Sequence, residues 1–85
     1  MAYRVELSSG VRHQLGRLET GIRERILRAL IKLETEQRPP GAKKLKGGDE
    51  LWRIRVGDYR IVYELRDRIA LVLVVRVAHR REAYR

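Results

Sequence analysis

Leu51-Trp52-Arg53-Ile54-Arg55-Val56-Gly57-Asp58-Tyr59-Arg60-Ile61-Val62-Tyr63 is the stretch whose reading decides the fold. Apolar and basic residues alternate along it, the period of a half-buried strand. Gly57-Asp58 fits a two-residue hairpin turn, since Gly accepts positive φ and Asp tolerates it. That turn sets the register: Val56 opposite Tyr59, Arg55 opposite Arg60, Ile54 opposite Ile61 and Trp52 opposite Tyr63. The apolar partners then share one face with the aromatics. Arg53, Arg55 and Arg60 share the other. Like charges directly opposite one another destabilise a sheet. Clustered guanidiniums therefore point to an anionic ligand, and phosphate suits them by geometry and charge.

Outward from the hairpin, the preceding segment Ala42-Lys43-Lys44-Leu45-Lys46-Gly47-Gly48 reads as a loop. Its lysines suit either a phosphate-contacting segment or a solvated connection. Pro39-Pro40-Gly41 is the stop for a helix before it. That helix carries the stripe Ile22, Ile26, Leu27, Leu30, Ile31 and Leu33 at helical spacing. Arg23, Arg25, Arg28 and Lys32 lie off the stripe as a solvated face. Val11, Leu15 and Leu18 mark an earlier helix, for which Ser8 or Ser9 is a cap. Glu19-Thr20-Gly21 is the break between the two. Tyr3-Arg4-Val5-Glu6-Leu7 alternates as a first strand. After the hairpin, Arg66-Asp67-Arg68 makes a second turn, and Ile69–Val75 is continuously apolar, as in a strand buried on both faces. The order β-α-α-β-β-β predicts an α+β fold, one domain over residues 1–85. Its two N-terminal helices pack on one face of a small, mainly antiparallel sheet. The arginine face is left open.

The 85 residues carry a net charge of +9 and contain no Cys. Disulfides and thiolate metal sites are therefore excluded. His13 and His79 alone build no metal centre, and no metal or other cofactor is expected. Residues 1–37 hold seven Arg/Lys against five Asp/Glu, and residues 38–85 hold thirteen against six. The basic excess lies with the candidate sheet, which predicts a polyanionic partner rather than a membrane surface. No apolar leader and no run long enough to span a bilayer is present, so a cytoplasmic location is expected. No phosphate-cradling glycine loop joins a strand to a helix.

Three motifs resemble the RelE/ParE toxin superfamily of type II toxin–antitoxin systems. They are Lys44-Leu45-Lys46-Gly47 with Leu51–Arg55, then Gly57-Asp58-Tyr59-Arg60-Ile61-Val62-Tyr63, and finally Val77-Ala78-His79-Arg80-Arg81-Glu82 with Tyr84. The resemblance covers nearly the whole chain. It implies a RelE-like mRNA interferase that binds the ribosomal A site and cuts mRNA by 2′-hydroxyl attack on the adjacent phosphate. It also implies a cognate antitoxin as partner; the charge and the open basic face suit a free toxin that is a monomer. By resemblance the catalytic set is Arg53, Arg55, Arg60, His79, Arg80 and Tyr84. Lys43, Lys44, Lys46, Arg81 and Arg85 are candidate RNA-backbone contacts. Well-known members carry lysines at the positions of Arg53 and Arg55. Arginine does not give up its proton, so the general base here is His79, Tyr84 or another group. Two other readings share these residues. One is a ParE-like gyrase poison, which acts by binding protein. The other is an RNA-binding domain without catalysis.

Overall fold

The structure is a computed structural model that describes residues 2–46 and 50–83, without the side chains of Glu82 and Ala83. Strand β1 (Arg4–Leu7) leads into helices α1 (Ser9–Gly16) and α2 (Thr20–Lys32). Then come β2 (Lys43–Lys44), β3 (Leu51–Val56), β4 (Tyr59–Arg66), a 3₁₀ turn (Asp67–Ile69), β5 (Leu71–His79) and the short α3 (Arg80–Ala83). The sheet order is β1-β5-β4-β3-β2, with β1 parallel to β5 and every other pair antiparallel. The expected α+β fold is therefore present, with one more strand than the sequence suggested. Lys43-Lys44 is that strand, not loop, and pairs with Arg53 and Trp52.

Ser8 begins α1 as expected, its hydroxyl accepting from the Val11 N–H at 3.2 Å. The break between the helices falls earlier than the sequence suggested. Arg17, Leu18 and Glu19 make it, and Thr20 and Gly21 are already helical. Likewise α2 stops at Lys32, well before Pro39. Its last carbonyls, those of Leu30, Ile31 and Lys32, accept from the backbone N–H groups of residues 33–36, and just beyond them the Gln37 amide donates to the Leu33 carbonyl at 3.0 Å and the Glu34 carbonyl at 2.9 Å. Such capping ends a helix without proline.

The core lies between the helices and one sheet face. Val11 and Leu15 of α1 meet Ile26 and Leu30 of α2 and Leu33 at its C-cap above Ile54, Ile61, Tyr63, Leu65, Val72, Val74 and Val77. The α2 stripe is narrower than its sequence suggests. Leu27 and Ile31 are exposed, because the i, i+4, i+7 set already fills the interface. The last strand also shifts relative to expectation. Ile69 belongs to the 3₁₀ turn and is exposed, Ala70 takes a left-handed conformation at φ 51°, and β5 continues to His79.

A β-bulge breaks the β4–β5 register. Tyr63 faces Val74, but Val62 faces Arg76, so Val75 is the extra residue. One inserted residue moves every following side chain to the opposite face. An unbroken strand would have turned Arg76 toward the helices and His79 toward the arginines. The bulge does the reverse. At the sheet end away from the hairpin turn, a polar staple closes the fold. The Tyr3 hydroxyl donates to Asp67 at 2.7 Å, and Arg38 donates to the same carboxylate at 3.0 Å. Arg38 also lies 5.1 Å over the Trp52 ring.

Candidate functional site

The hairpin register is the one the sequence dictates. Val56 pairs with Tyr59, Arg55 with Arg60, Ile54 with Ile61 and Trp52 with Tyr63. Gly57 holds φ 59°, the left-handed value that the turn requires. Arg53, Arg55 and Arg60 therefore stand on the face away from the helices. Arg60 faces Ala78 across β4 and β5, and Lys43 faces Arg53, so Lys43 joins the same face. Lys44 pairs with Trp52 and takes the other face.

The chain then returns to the turn. At the end of β5 the Arg80 N–H donates to the Asp58 carbonyl at 2.7 Å. This bond draws the start of α3 against the hairpin tip. A cleft of about 350 Å³ results, lined by Arg55, Gly57, Asp58, Tyr59, Arg60, Arg80 and Arg81. Four guanidiniums from three elements thus border one opening. Such a cleft favours a group with several anionic oxygens, and arginine keeps its charge at any working pH.

His79 lies elsewhere. It pairs with Tyr59, on the helix side of the sheet, and their rings meet edge to face at 5.2 Å. It borders a separate cleft of about 180 Å³ with Ile22, Arg25 and Ile26 of α2 and the turn residues Val56–Tyr59. Its Nδ1 accepts the Arg81 N–H at 3.2 Å. Neutral His79 must then carry its proton on Nε2, and a proton on Nδ1 would displace the bond that starts α3. Asp58 and Tyr59, by contrast, border both clefts.

The structure thus brings together Arg55, Arg60, Arg80 and Arg81, and sets Arg53 two strand positions further along. Lys46 is exposed beyond β2. Tyr84 and Arg85 lie outside the described residues. Two residues went unmarked in the sequence. Asp58 was legible only as a turn residue, yet its carbonyl anchors Arg80. Arg76 reaches the open face only through the bulge, beside Arg53 and Arg60. A larger groove of about 520 Å³ runs between Lys32 at the end of α2, Leu33 and Glu36 just after it, and Arg53–Val56 of β3. Among the described residues no group of three or more His, Cys, Asp or Glu is placed to hold a metal ion. No helix among them is long and apolar enough to cross a membrane.

Two helices on one face of a mixed five-stranded sheet, with an arginine-lined opposite face, make up the RelE-like toxin fold. Residues 5–84 match the family described as ParE toxin of type II toxin-antitoxin system, parDE, and the chain belongs to this family within the RelE/ParE toxin superfamily. Solved structures agree. RelE in the archaeal RelE-RelB complex from Pyrococcus horikoshii is 29% identical, with 94% of this chain and 97% of that chain covered and a TM-score of 0.84. The RelB-RelE antitoxin-toxin complex from Methanococcus jannaschii gives 26% identity, 93% and 94% coverage, and a TM-score of 0.75. A variant of the E. coli toxin RelE in the free state shares the fold at 23% identity, 99% and 90% coverage, and a TM-score of 0.82. Among curated proteins none matches the chain.

Proposed function

We propose that this toxin is an endoribonuclease that cuts mRNA in the ribosomal A site. The observation that carries this reading is the cleft at the hairpin tip, where Arg55, Arg60, Arg80 and Arg81 converge. In the reaction the ribose 2′-oxygen attacks the adjacent phosphorus, the bond from phosphorus to the 5′-oxygen breaks, and a 2′,3′-cyclic phosphate remains. The 2′-hydroxyl loses a proton and the leaving 5′-oxygen gains one. The phosphorane between them carries extra negative charge, which fixed guanidiniums stabilise without reorganising. Arg55 and Arg60 approach it from the sheet, and Arg80 and Arg81 from the start of α3. Arg53 extends the same face along the RNA backbone, and Lys43 with it.

Proton transfer falls to a group other than arginine. Asp58 and Tyr59 border the cleft itself. His79 stands on the far side of the turn and reaches the reacting atoms only by way of the tip, and Tyr84 is a candidate by the family resemblance alone. The chemistry needs no metal of its own, since the cationic cleft supplies the charge.

The cognate partner is an antitoxin, as in the complexes from Pyrococcus horikoshii and Methanococcus jannaschii. The deciding experiment is primer extension of mRNA on programmed ribosomes, with naked mRNA as control. Cuts confined to the A-site codon, and only with ribosomes, are the expected result. Intact mRNA in both samples, with a folded protein, overturns the reading. A second reading, inhibition of DNA gyrase by protein binding, is favoured by the ParE description of the matching family. A supercoiling assay with purified gyrase is its test.

A further inference from the structure

Strand β5 runs through the sheet with β1 on one side and β4 on the other. From Leu71 to Ala78 every side chain is apolar except Arg76. An isolated charge in an interior strand is tolerated only where its face is open to solvent or a ligand. The bulge at Val75 is what turns Arg76 onto that face. Bulges gather next to functional sites because they re-aim single side chains.

Arg76 borders a cleft of about 160 Å³ together with Arg53 and Arg60, over a floor of Leu45, Val62 and Ala78. Arg60 also borders the cleft at the hairpin tip. The two openings therefore adjoin through one guanidinium. The far end of the same face carries two ion pairs. There Arg4 and Arg66 each stand 2.7 Å from a glutamate, Glu6 and Glu64. None of the ion pairs among the described residues uses Arg76.

We propose that Arg76 and Arg53 form a second phosphate seat, which holds the phosphodiester next to the one being cut. The inference rests on the endoribonuclease reading and extends it from the scissile phosphate to its neighbour. Arg53 and Arg55 are two strand positions apart, about 6.8 Å at the usual rise. That is the scale of one nucleotide step in an extended strand. The apolar floor between the guanidiniums accommodates the sugar or base edge that accompanies the phosphate. Arg76 is then a binding and positioning residue: it fixes which nucleotide is presented at the tip, and the reacting atoms stay with Arg55 and Arg60.

The test pairs one protein change with one RNA change. Single methylphosphonates, which remove one phosphate charge, are placed in turn at the positions flanking the cut in mRNA on programmed ribosomes. Cleavage is followed with the wild-type chain, with Arg76→Ala and with Arg76→Gln, which keeps a strand-compatible stem. With the wild type, one flanking position is expected to lower the cleavage rate about tenfold, the weight of a charge-assisted contact. With either variant on unmodified mRNA the rate falls by a similar factor, and the methylphosphonate at that position adds nothing further. Equal sensitivity in wild type and variants overturns the seat, as does a wild type indifferent to every substitution. Unmodified mRNA that the wild-type chain leaves intact overturns the endoribonuclease reading itself, and the seat falls with it. Matching thermal midpoints of the three proteins confirm that the comparison concerns folded chains.

Discussion

The backbone N–H of Arg80 donates to the carbonyl of Asp58 at 2.7 Å, and this bond joins the end of the last strand to the tip of the hairpin. The position of the α3 arginines thus follows from the shape of a two-residue turn. Gly57 sets that shape at φ 59°, and a Cβ there would come within 3.4 Å of the Arg25 guanidinium. Arg25 is a flexible side chain that yields, so the backbone strain dominates. Gly57→Ala is expected to cost about 1–2 kcal/mol in urea denaturation, and Gly57→Asn, which tolerates the left-handed region, less. Cleavage should fall further than stability predicts, because the turn misplaces Arg55, Arg60 and Arg80 together. Activity that merely tracks the folded fraction would argue against the turn as the organiser of the cleft.

Arg55 and Arg60 face one another directly across the hairpin. Their mutual repulsion is weakened when either is neutralised. Arg60→Ala is expected to leave stability unchanged or raise it by about 0.2–1 kcal/mol. The same change should lower mRNA cleavage by roughly 10²–10³-fold, as for loss of one preorganised transition-state donor. Arg60→Lys restores charge but not the two-pronged geometry. Thermal melts and single-turnover cleavage with each variant check both halves. A loss of stability that matches the loss of activity would count against a functional role.

Tyr63 is fully buried, and its hydroxyl donates to the Gln37 carbonyl at 2.8 Å. Burial pushes its pKa from 10.0 up to about 12, against a smaller opposing pull from Arg38. The folded state therefore holds the phenol proton more tightly than the unfolded chain does. Stability from this group is complete below pH 10 and is lost as pH rises toward about 12, at up to about 1.4 kcal/mol per pH unit. Tyr3 shifts in the same direction through its bond to Asp67. Tyr63→Phe should cost about 1 kcal/mol at neutral pH and flatten most of the alkaline slope. Denaturation midpoints between pH 8 and 12 that stay parallel in both proteins would refute the assignment.

Asp67 behaves in the opposite sense. The Tyr3 hydroxyl, and then Arg38, hold its pKa below the ordinary 3.8. Its contribution is present above that value and is lost as pH falls through the lowered one. Arg38 and Asp67 are exposed and Tyr3 is half-buried, so solvent screens the staple and its worth is small. Asp67→Asn should lower the melting temperature slightly at pH 7 and leave the variant less sensitive to acid below pH 4. Because the staple lies at the other end of the sheet, mRNA cleavage at neutral pH should be unchanged.

The hairpin register was legible because one alternation and one glycine turn leave a single pairing that buries all the aromatics. The order of helices and strands was legible for the same reason. Lys43-Lys44 was not, since two exposed lysines carry no apolar period, and their strand exists only because β3 offers an edge. The helix stripe was read too wide at Leu27 and Ile31, because sequence gives spacing but not how much of a stripe its neighbour covers. The placement of His79 and Arg76 was beyond the sequence altogether. Both depend on whether Val75 is counted as paired, and an apolar run looks the same with or without a bulge. Arg55, Arg60 and Arg80 needed no such parity beyond the hairpin and the strand end, and they do meet.

The parallel pairing of β1 with β5 places residues 4–7 beside residues 71–74. Everything between them in sequence must emerge before that pair can form. Until β5 is in place, β1 has no neighbour in the sheet, α1 has nothing beneath it, and the hairpin turn has no Arg80 to meet. Contacts of such long sequence separation form late. A chain still being synthesised therefore presents a helix pair and an unfinished hairpin, but no assembled cleft. If the proposed ribosomal target is right, the machine that makes this toxin is protected from the molecule in its exit path, because the final strand to appear is the one that brings the cleft together.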